Sequence, residues 1–299
     1  MQQHTMKPFF SVIIPTYNRS RDLKRAVDSV LSQSFCDFEI LVMDDGSTDD
    51  TREVMRAIHD PRVTYDWDKN FGGPARPRNR GIALAKGEWI CFLDADDSWL
   101  PEKLQVCFHH INESVDLIYH DLKIVGTVKT KFKNNVNKSR QLKKPVLIDL
   151  LENSNVISNS SVCVRKIILD RVGKIDENTA MIASEDYNAW LRIASITDKF
   201  LYIPQVLGLY SVHEGNISSR DMRLSVECAR KKYLHLITDS QDAKYMHKIR
   251  YLSGRQEFIR REYKNAYINL LYSLKHGGVQ IKIKSLYMIA IIKGLKHTG

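Results

Sequence analysis

Two periodicities of apolar residues follow one another along this chain. In the first hundred or so residues, short apolar runs predict strands at Phe9-Phe-Ser-Val-Ile-Ile14, Phe38-Glu-Ile-Leu-Val-Met43, Val63 to Tyr65 and Trp89-Ile-Cys-Phe-Leu93. Between them, apolar residues recur at helical spacing. Leu23, Ala26, Val27, Val30 and Leu31 mark one helix. Ser47 with Asp50 resembles a capping box opening a second, to about His59. Arg78 to Ala85 is a third, with Gly87 past its end, and Pro101 opens another through Ile111. Strand–helix–strand alternation implies right-handed crossovers and a mainly parallel sheet. The fold class is α/β: a nucleotide-binding type of sheet with helices on both faces.

The pattern changes after Val115. Asp116 to Val125 and Ser160 to Arg165 are strand-like, and Val146 to Glu152 is a short helix. Phe200-Leu-Tyr-Ile-Pro204 and Val206-Leu-Gly-Leu-Tyr210 suggest a small hairpin-like finish. Beyond Asn216 the chain reads as wholly helical, with few Gly or Pro before Gly277-Gly278. The expected divisions are 1–115, 116–217 and a helical region at 218–299. No internal repeat of fixed period is present.

Composition adds three constraints. A 43% hydrophobic share is ample for a core. The five cysteines are scattered without CxxC spacing and mostly lie in apolar runs, which suits buried thiols of a reducing compartment. Met1 to Lys7 is too short and polar for a signal-peptide core, and no segment approaches the ~18 apolar residues of a membrane span. The net charge of +10 is unevenly placed: residues 220–299 hold 17 Lys/Arg against 6 Asp/Glu, whereas residues 1–219 hold 28 against 29. The basic tail therefore points to an anionic surface met by that part alone. A second basic stretch, Lys123 to Lys144, looks like an exposed loop.

The candidate chemistry gathers where strands end, which is where open α/β sheets collect ligands. Asp94-Ala95-Asp96-Asp97 places three carboxylates in four residues after a run expected to be buried. Close carboxylates repel unless a cation lies among them, and hard divalent ions prefer oxygen ligands. The cluster reads as a metal-and-phosphate site, although Asp97 or Ser98 also suits a plain helix cap. Asp44-Asp45-Gly46-Ser47 follows the second strand; an Asp there accepts from a base N–H or a ribose hydroxyl, or simply makes a turn. Pro15-Thr16-Tyr17-Asn18 follows the first strand, and Tyr17 either flanks a planar base or covers the sheet edge. Arg78-Asn79 and Ser184-Glu185-Asp186-Tyr187 complete the set.

Together, Val12-Ile-Ile-Pro-Thr-Tyr-Asn18, Asp44-Asp-Gly-Ser47, Arg78-Asn-Arg-Gly81, Ala85-Lys-Gly-Glu-Trp-Ile90, Phe92-Leu-Asp-Ala-Asp-Asp97 and Glu185-Asp186 resemble family 2 inverting glycosyltransferases. The resemblance covers residues 9–215 or so. It implies a GT-A fold, a nucleotide-sugar donor that is usually UDP-linked, and Mn²⁺ or Mg²⁺. By this resemblance Pro15, Thr16 and Tyr17 line the uridine pocket, Asp45 binds uracil, and Arg78 supports the base or diphosphate. Asn79 and Ala95 belong to the same nucleotide site, and Asp94 contacts the ribose. Asp96 coordinates the metal, with Asp97 supporting it. Asp186 is the expected base, with Glu185 beside it. His213, in Tyr210-Ser-Val-His-Glu-Gly-Asn-Ile-Ser218, matches a late histidine that meets the metal or diphosphate in many relatives. Arg76 and Pro77 depart from the family pattern, so either Arg76 or Arg78 takes the nucleotide role.

The resemblance makes 1–217 a catalytic domain, with nucleotide-binding and acceptor halves. Membrane-spanning helices and the Gln-x-x-Arg-Trp motif of processive relatives are absent, so transfer of one sugar is expected. Similarity to bacterial members with basic tails implies a hexose, glucose or galactose, passed from a UDP-α-sugar to a polyprenyl-diphosphate-linked saccharide for O-antigen or capsule. N-acetylhexosaminyl transfer and a soluble acceptor are the alternatives. Val279–Lys296 interleaves Ile281, Ile283, Leu286, Tyr287, Ile289 and Ile291 with Lys282, Lys284, Lys293 and Lys296. It either lies on the anionic cytoplasmic face of the inner membrane, as a peripheral contact, or packs on the core. A degenerate nucleotide-sugar-binding module with a lipid- or nucleic-acid-binding tail is the non-enzymatic reading. The metal and base residues argue against it, and no basic motif interleaved with aromatics predicts a nucleic-acid partner. A nucleotidylyltransferase would need a Gly-rich loop where Pro15-Thr-Tyr-Asn-Arg19 has none.

Overall fold

The computed structural model describes residues 7–126, 135–153, 155–213 and 221–296. Met1 to Met6, the middle of the basic stretch at 127–134, and Glu214 to Ser218 of the His213 motif lie outside the described residues. β1 (Phe10–Thr16), β2 (Phe38–Asp44), β3 (Val63–Trp67) and β4 (Trp89–Phe92) form a parallel block in the order β3-β2-β1-β4. The crossovers are α1 (Ser20–Leu31), α2 (Thr51–Arg56) and α3 (Ala75–Leu84). Successive strand residues face opposite sides. Val12, Ile14, Ile40 and Val42 accordingly pack with Leu23 and Val27 of α1, while Ile13, Leu41 and Met43 join Ile82 and Trp190 on the other face.

The chain continues through β5 (Ser98–Trp99), α4 (Lys103–His110), β6 (Leu117–Gly126), β7 (Val136–Asn137) and α5 (Val146–Asn153). Then come β8 (Cys163–Arg165), α6 (Lys166–Arg171), α7 (Glu185–Ala194) and β9 (Phe200–Val212). β8 inserts antiparallel between β4 and β6, β9 runs parallel to β6, and β5 closes that edge antiparallel to β9. The sheet is therefore mixed.

Local expectations are corrected at two places. The hairpin-like finish is instead the single strand β9. Its pairing with β6 jumps from His120–Ile203 to Asp121–Val206, so Pro204 and Gln205 bulge. A bulge accommodates a proline, which has no N–H for the ladder. Ser47 and Asp50 form no capping box: α2 starts at Thr51, and Asp49 accepts the N–H groups of Ser20 and Thr51. Pro77 falls within the first turn of α3, where a missing N–H costs the helix little.

Lys103, in the helix expected after Pro101, is fully buried. Its ammonium lies 2.9 Å from Cys163 Sγ and 3.7 Å from the centre of the Trp99 ring. Cys91 and Cys163 oppose one another on β4 and β8, their sulfurs 2.9 Å apart. Burial opposes charge on the Cys163 thiol, but hydrogen bonds from Cys107 and Cys91 and the Lys103 charge draw its pKa down. The neighbouring His120 is pushed down to about 3 by burial and by Lys103. Cys36 departs from the expected burial and is exposed.

Four α-helices complete the described chain, with a 3-10 helix (Lys231–Leu236) between the first two: α8 (Arg223–Arg230), α9 (Asp239–Ile259), α10 (Tyr263–His276) and α11 (Val279–Lys296). Thr238 and Gln241 form the capping box of α9. Buried Arg230 donates to Leu151 O at 2.7 Å and pairs with Asp242 at 2.6 Å. Val226, Ala229, Tyr245 and Met246 belong to the same core cluster as one face of the sheet. Ala266, Leu270, Met288, Ile289 and Ile292 of α10 and α11 form a cluster of their own.

Gly87 fixes how the turn after α3 meets β1. Its N–H donates to Ser11 Oγ at 2.8 Å, and a Cβ there would lie 2.6 Å from Ser11 N. Gly87→Ala is expected to lower unfolding free energy by about 1–3 kcal/mol, read from the urea midpoint. An unchanged midpoint would contradict this close approach.

Candidate active site

The carboxyl ends of β1, β2 and β4 open onto one cavity of about 750 Å³, which reaches across to Val226, Tyr245 and Ile249 of α8 and α9. Small-molecule sites typically span roughly 300–1,000 Å³. At the β1–β2 end, Gly46 has φ +85°, and a Cβ there would meet Asn70 N at 2.6 Å. Glycine thus permits the turn that brings residues 70–72 over Asp45. Asp45 accepts the N–H groups of Phe71 at 3.0 Å and Gly72 at 3.2 Å. Burial raises its pKa against those bonds. Pro15 and Thr16 line the same end, and Thr16 Oγ1 is buried without a protein partner. The Tyr17 ring, 48% exposed, stands at the rim.

Arg78 occupies the middle. It is almost fully buried, with Nη1 2.6 Å from Glu185 Oε1 and Nη2 2.8 Å from Asp94 Oδ1. Burial works against its charge, but Asp94 and Glu185 outweigh that penalty and raise its pKa. Asn159 donates a second hydrogen bond to Asp94 Oδ1, at 2.9 Å. Of the two arginines, Arg78 is the one that lines the cavity. Arg76 lies 3.8 Å over the Phe71 ring and pairs with Glu177, away from the cavity lining. Asn79, expected in the nucleotide site, lies outside the cavity lining: its side chain exchanges hydrogen bonds with the Ile175 backbone and donates to Glu177. It fastens α3 to the segment preceding α7.

The acidic loop after β4 divides its residues. Ala95 is buried in the cavity lining. Asp96 Oδ2 lies 2.9 Å from His213 Nε2 and 3.5 Å from Arg19 Nη1, so the far end of β9 and the loop after β1 meet at this carboxylate. Asp97, expected to support Asp96, is held by protein partners. It is 1% exposed, and its oxygens accept from Ser160 Oγ at 2.6 Å and Ser211 N at 2.9 Å. Burial, then Asp94 and Asp96, raise its pKa; it braces the loop against β9. Among the described residues no group of three His, Cys, Asp or Glu side chains is gathered for a metal. Asp96 and His213 supply two donors, which suits an ion that completes its shell from a diphosphate, as Mg²⁺ usually does.

Glu185 and Asp186 open α7 and differ sharply despite adjacency. Glu185 is held by Arg78, and its Oε2 is buried without a protein partner. Asp186 also lines the cavity; burial and then the Glu185 charge push its pKa up to about 7. A carboxylate poised near neutrality is suited to taking a proton. Arg19, Asn159 and Tyr245 were missed by sequence reasoning. Ser158-Asn-Ser-Ser161, a polar run directly before a strand, was the available signal for Asn159. Tyr245, stacked on Tyr187 at 6.0 Å, lies in a helix with no distinguishing motif.

A mixed sheet whose strand ends carry an acidic loop, a nucleotide-sized cavity and a carboxylate pair defines a GT-A-type transferase. The chain belongs to glycosyl transferase family 2, whose model matches residues 11–172. It is 30% identical over 220 residues to the Escherichia coli protein named UDP-Glc:alpha-D-GlcNAc-diphosphoundecaprenol beta-1,3-glucosyltransferase WfaP, covering 71% of this chain and 81% of that one. Over 109 residues it is 40% identical to the Campylobacter jejuni GalNAc(5)-diNAcBac-PP-undecaprenol beta-1,3-glucosyltransferase, covering 36% of this chain and 35% of that one. Among solved structures, S. aureus TarS 1–349 in complex with UDP-GlcNAc aligns with a TM-score of 0.62 at 19% identity, over 97% of this chain and 92% of that one. The Pyrobaculum calidifontis mannosyltransferase PcManGT, in complex with GDP-Man and Mn²⁺, aligns at 0.61 and 17% identity, over 96% and 81%. These two likenesses concern the fold.

Removing Arg78 would leave Glu185 buried without its counter-charge. Arg78→Ala is expected to lose about 3–5 kcal/mol of stability, whereas Arg76→Ala, at a half-exposed pair, should lose less than about 1 kcal/mol. Chemical denaturation distinguishes them, and equal losses would undo the assignment of Arg78 as the central residue.

Proposed function

We propose that this glycosyltransferase moves one hexose, glucose or galactose, from a UDP-α-sugar to a saccharide carried on a polyprenyl diphosphate, with inversion. The observation that carries the reading is the split between Glu185, tied to Arg78, and Asp186, raised to about 7 in the same cavity. The names of the E. coli and C. jejuni relatives favour glucose and a lipid-diphosphate acceptor. We assign residues 1–217 to catalysis and 218–299 to an accessory basic region. No described helix is long and apolar enough to cross a membrane; the lipid-diphosphate acceptors in the relatives' names support a peripheral place on the cytoplasmic face of the inner membrane.

In this reading Thr16, Tyr17 and Asp45 receive the uridine. The Asp45 carboxylate, held by two backbone N–H groups, accepts the uracil N–H, and Asp94 accepts from the ribose. Asp96 and His213 would hold Mn²⁺ or Mg²⁺, which when bound neutralises charge on the leaving diphosphate. Asp186 takes the proton of the acceptor hydroxyl as that oxygen attacks the anomeric carbon. The bond to UDP breaks on the opposite face, its electron pair leaving with the diphosphate, and a β-linkage results.

The base must be ionised to act, and a raised pKa means that ionisation is lost as pH falls. The rate constant kcat/KM should therefore be level above pH ~7 and fall about tenfold per unit below it. Asp186→Asn should cost a hundredfold or more, on the order expected for a general base, with UDP-sugar affinity by calorimetry near wild type. An active Asp186→Asn beside a dead Glu185→Gln would move the role to Glu185. For the cation, EDTA should abolish transfer and Mn²⁺ restore it, and Asp96→Ala should be inactive but folded. Full turnover in chelator would remove the metal from this reading.

A further inference from the structure

The two fates open to the C-terminal segment occur together, on opposite faces of α11. Towards the protein, Ser285, Met288, Ile289 and Ile292 are buried, the last three in a cluster with Ala266 and Leu270 of α10. Away from it, Val279, Ile283, Leu286 and Tyr287 are 73%, 64%, 56% and 69% exposed. With 3.6 residues per turn, these four and exposed Ala290 fall within an arc of about 100°, roughly opposite the buried four. Lys282 and Lys293 border one side of that arc and Lys284 the other; all three are exposed. The helix contains no Asp or Glu. The side chains of Leu295 and Lys296 lie outside the described residues.

A helix that packs on one face normally turns polar residues to water on the other. Here the outward face is apolar, and packing of the inner face does not account for it. The geometry points to an anionic lipid bilayer as its partner. Val279, Ile283, Leu286 and Tyr287 enter the acyl–headgroup boundary while Lys282, Lys284 and Lys293 extend their stems alongside and reach the phosphates. Charge selects this occupant over a second copy of the chain. Two such faces would bring their lysine borders together, within a region of 17 Lys/Arg against 6 Asp/Glu, whereas anionic headgroups complement them. The inference deepens the reading of a lipid-linked acceptor and rests on it for its purpose, since an in-plane helix would hold the enzyme where such an acceptor lies.

The full chain is sedimented with phosphatidylglycerol-containing and with pure phosphatidylcholine vesicles. Wild type should bind the anionic vesicles, less so at high salt, and the paired substitution Ile283→Glu/Tyr287→Glu should lower that partition at least tenfold. The triple variant Lys282→Gln/Lys284→Gln/Lys293→Gln should remove the preference for anionic lipid. None of these residues belongs to the buried seam or the cavity, so melting temperature and UDP-sugar hydrolysis should match wild type in both variants. Three results would overturn the proposal: wild type that ignores anionic vesicles, glutamate and glutamine variants that bind like wild type, or a solution dimer that the glutamates dissociate without changing vesicle binding. Vesicle-bound protein that hydrolyses no UDP-sugar would instead sink the proposed function and leave the lipid face standing.

Discussion

One buried guanidinium joins the parts of this protein that must act together. Arg78 lies in the first turns of α3, and it pairs with Asp94 just after β4 and with Glu185 at the start of α7. Taking a cation out of water is costly unless opposite charges surround it, so both carboxylates are drawn to one point. The position of Asp186 is set by the same contact, because it follows Glu185 in the chain. The strand ends that would receive a nucleotide and the helix start that would act on the acceptor are thus held in one frame.

The cavity gathers Asp45, Asp94, Asp96, Glu185 and Asp186, and the fold treats each differently. Backbone N–H groups hold Asp45, Arg78 and Asn159 hold Asp94, and Arg19 with His213 faces Asp96. Within this set, burial and then the Glu185 charge push the pKa of Asp186 up to about 7. Acidic groups whose environments push their proton affinities apart can take separate chemical roles. Arg19, His213 and Asp96 meet at one corner of the cavity.

Packing does not follow the charge boundary near residue 220. Val226, Ala229, Tyr245 and Met246 share the core beneath the sheet, and α8 and α9 wall the far end of the cavity. α11 meets the small cluster with α10 instead. The first C-terminal helices therefore pack as one body with the sheet, and the last presents a second face.

The sequence by itself determined the parallel βαβ half, because strand and helix periods are written among neighbouring residues. Val12 to Ile14, Leu23 to Val30 and Trp89 to Phe92 needed no distant information. The motif spacing likewise placed Asp45, Asp94, Asp96 and Asp186 at element ends. Tertiary structure decided which polar atoms meet, since those partners lie far apart in the chain: Arg78 and Glu185 are separated by 107 residues, Asp96 and His213 by 117. It put Arg78 in the cavity lining and Arg76 over Phe71, turned Asn79 towards Ile175 and Asp97 towards Ser160, inserted β8 against its neighbours, and made β9 one bulged strand. A helical repeat in α11 announced an apolar stripe but not which arc would be covered, because that depends on where α10 packs.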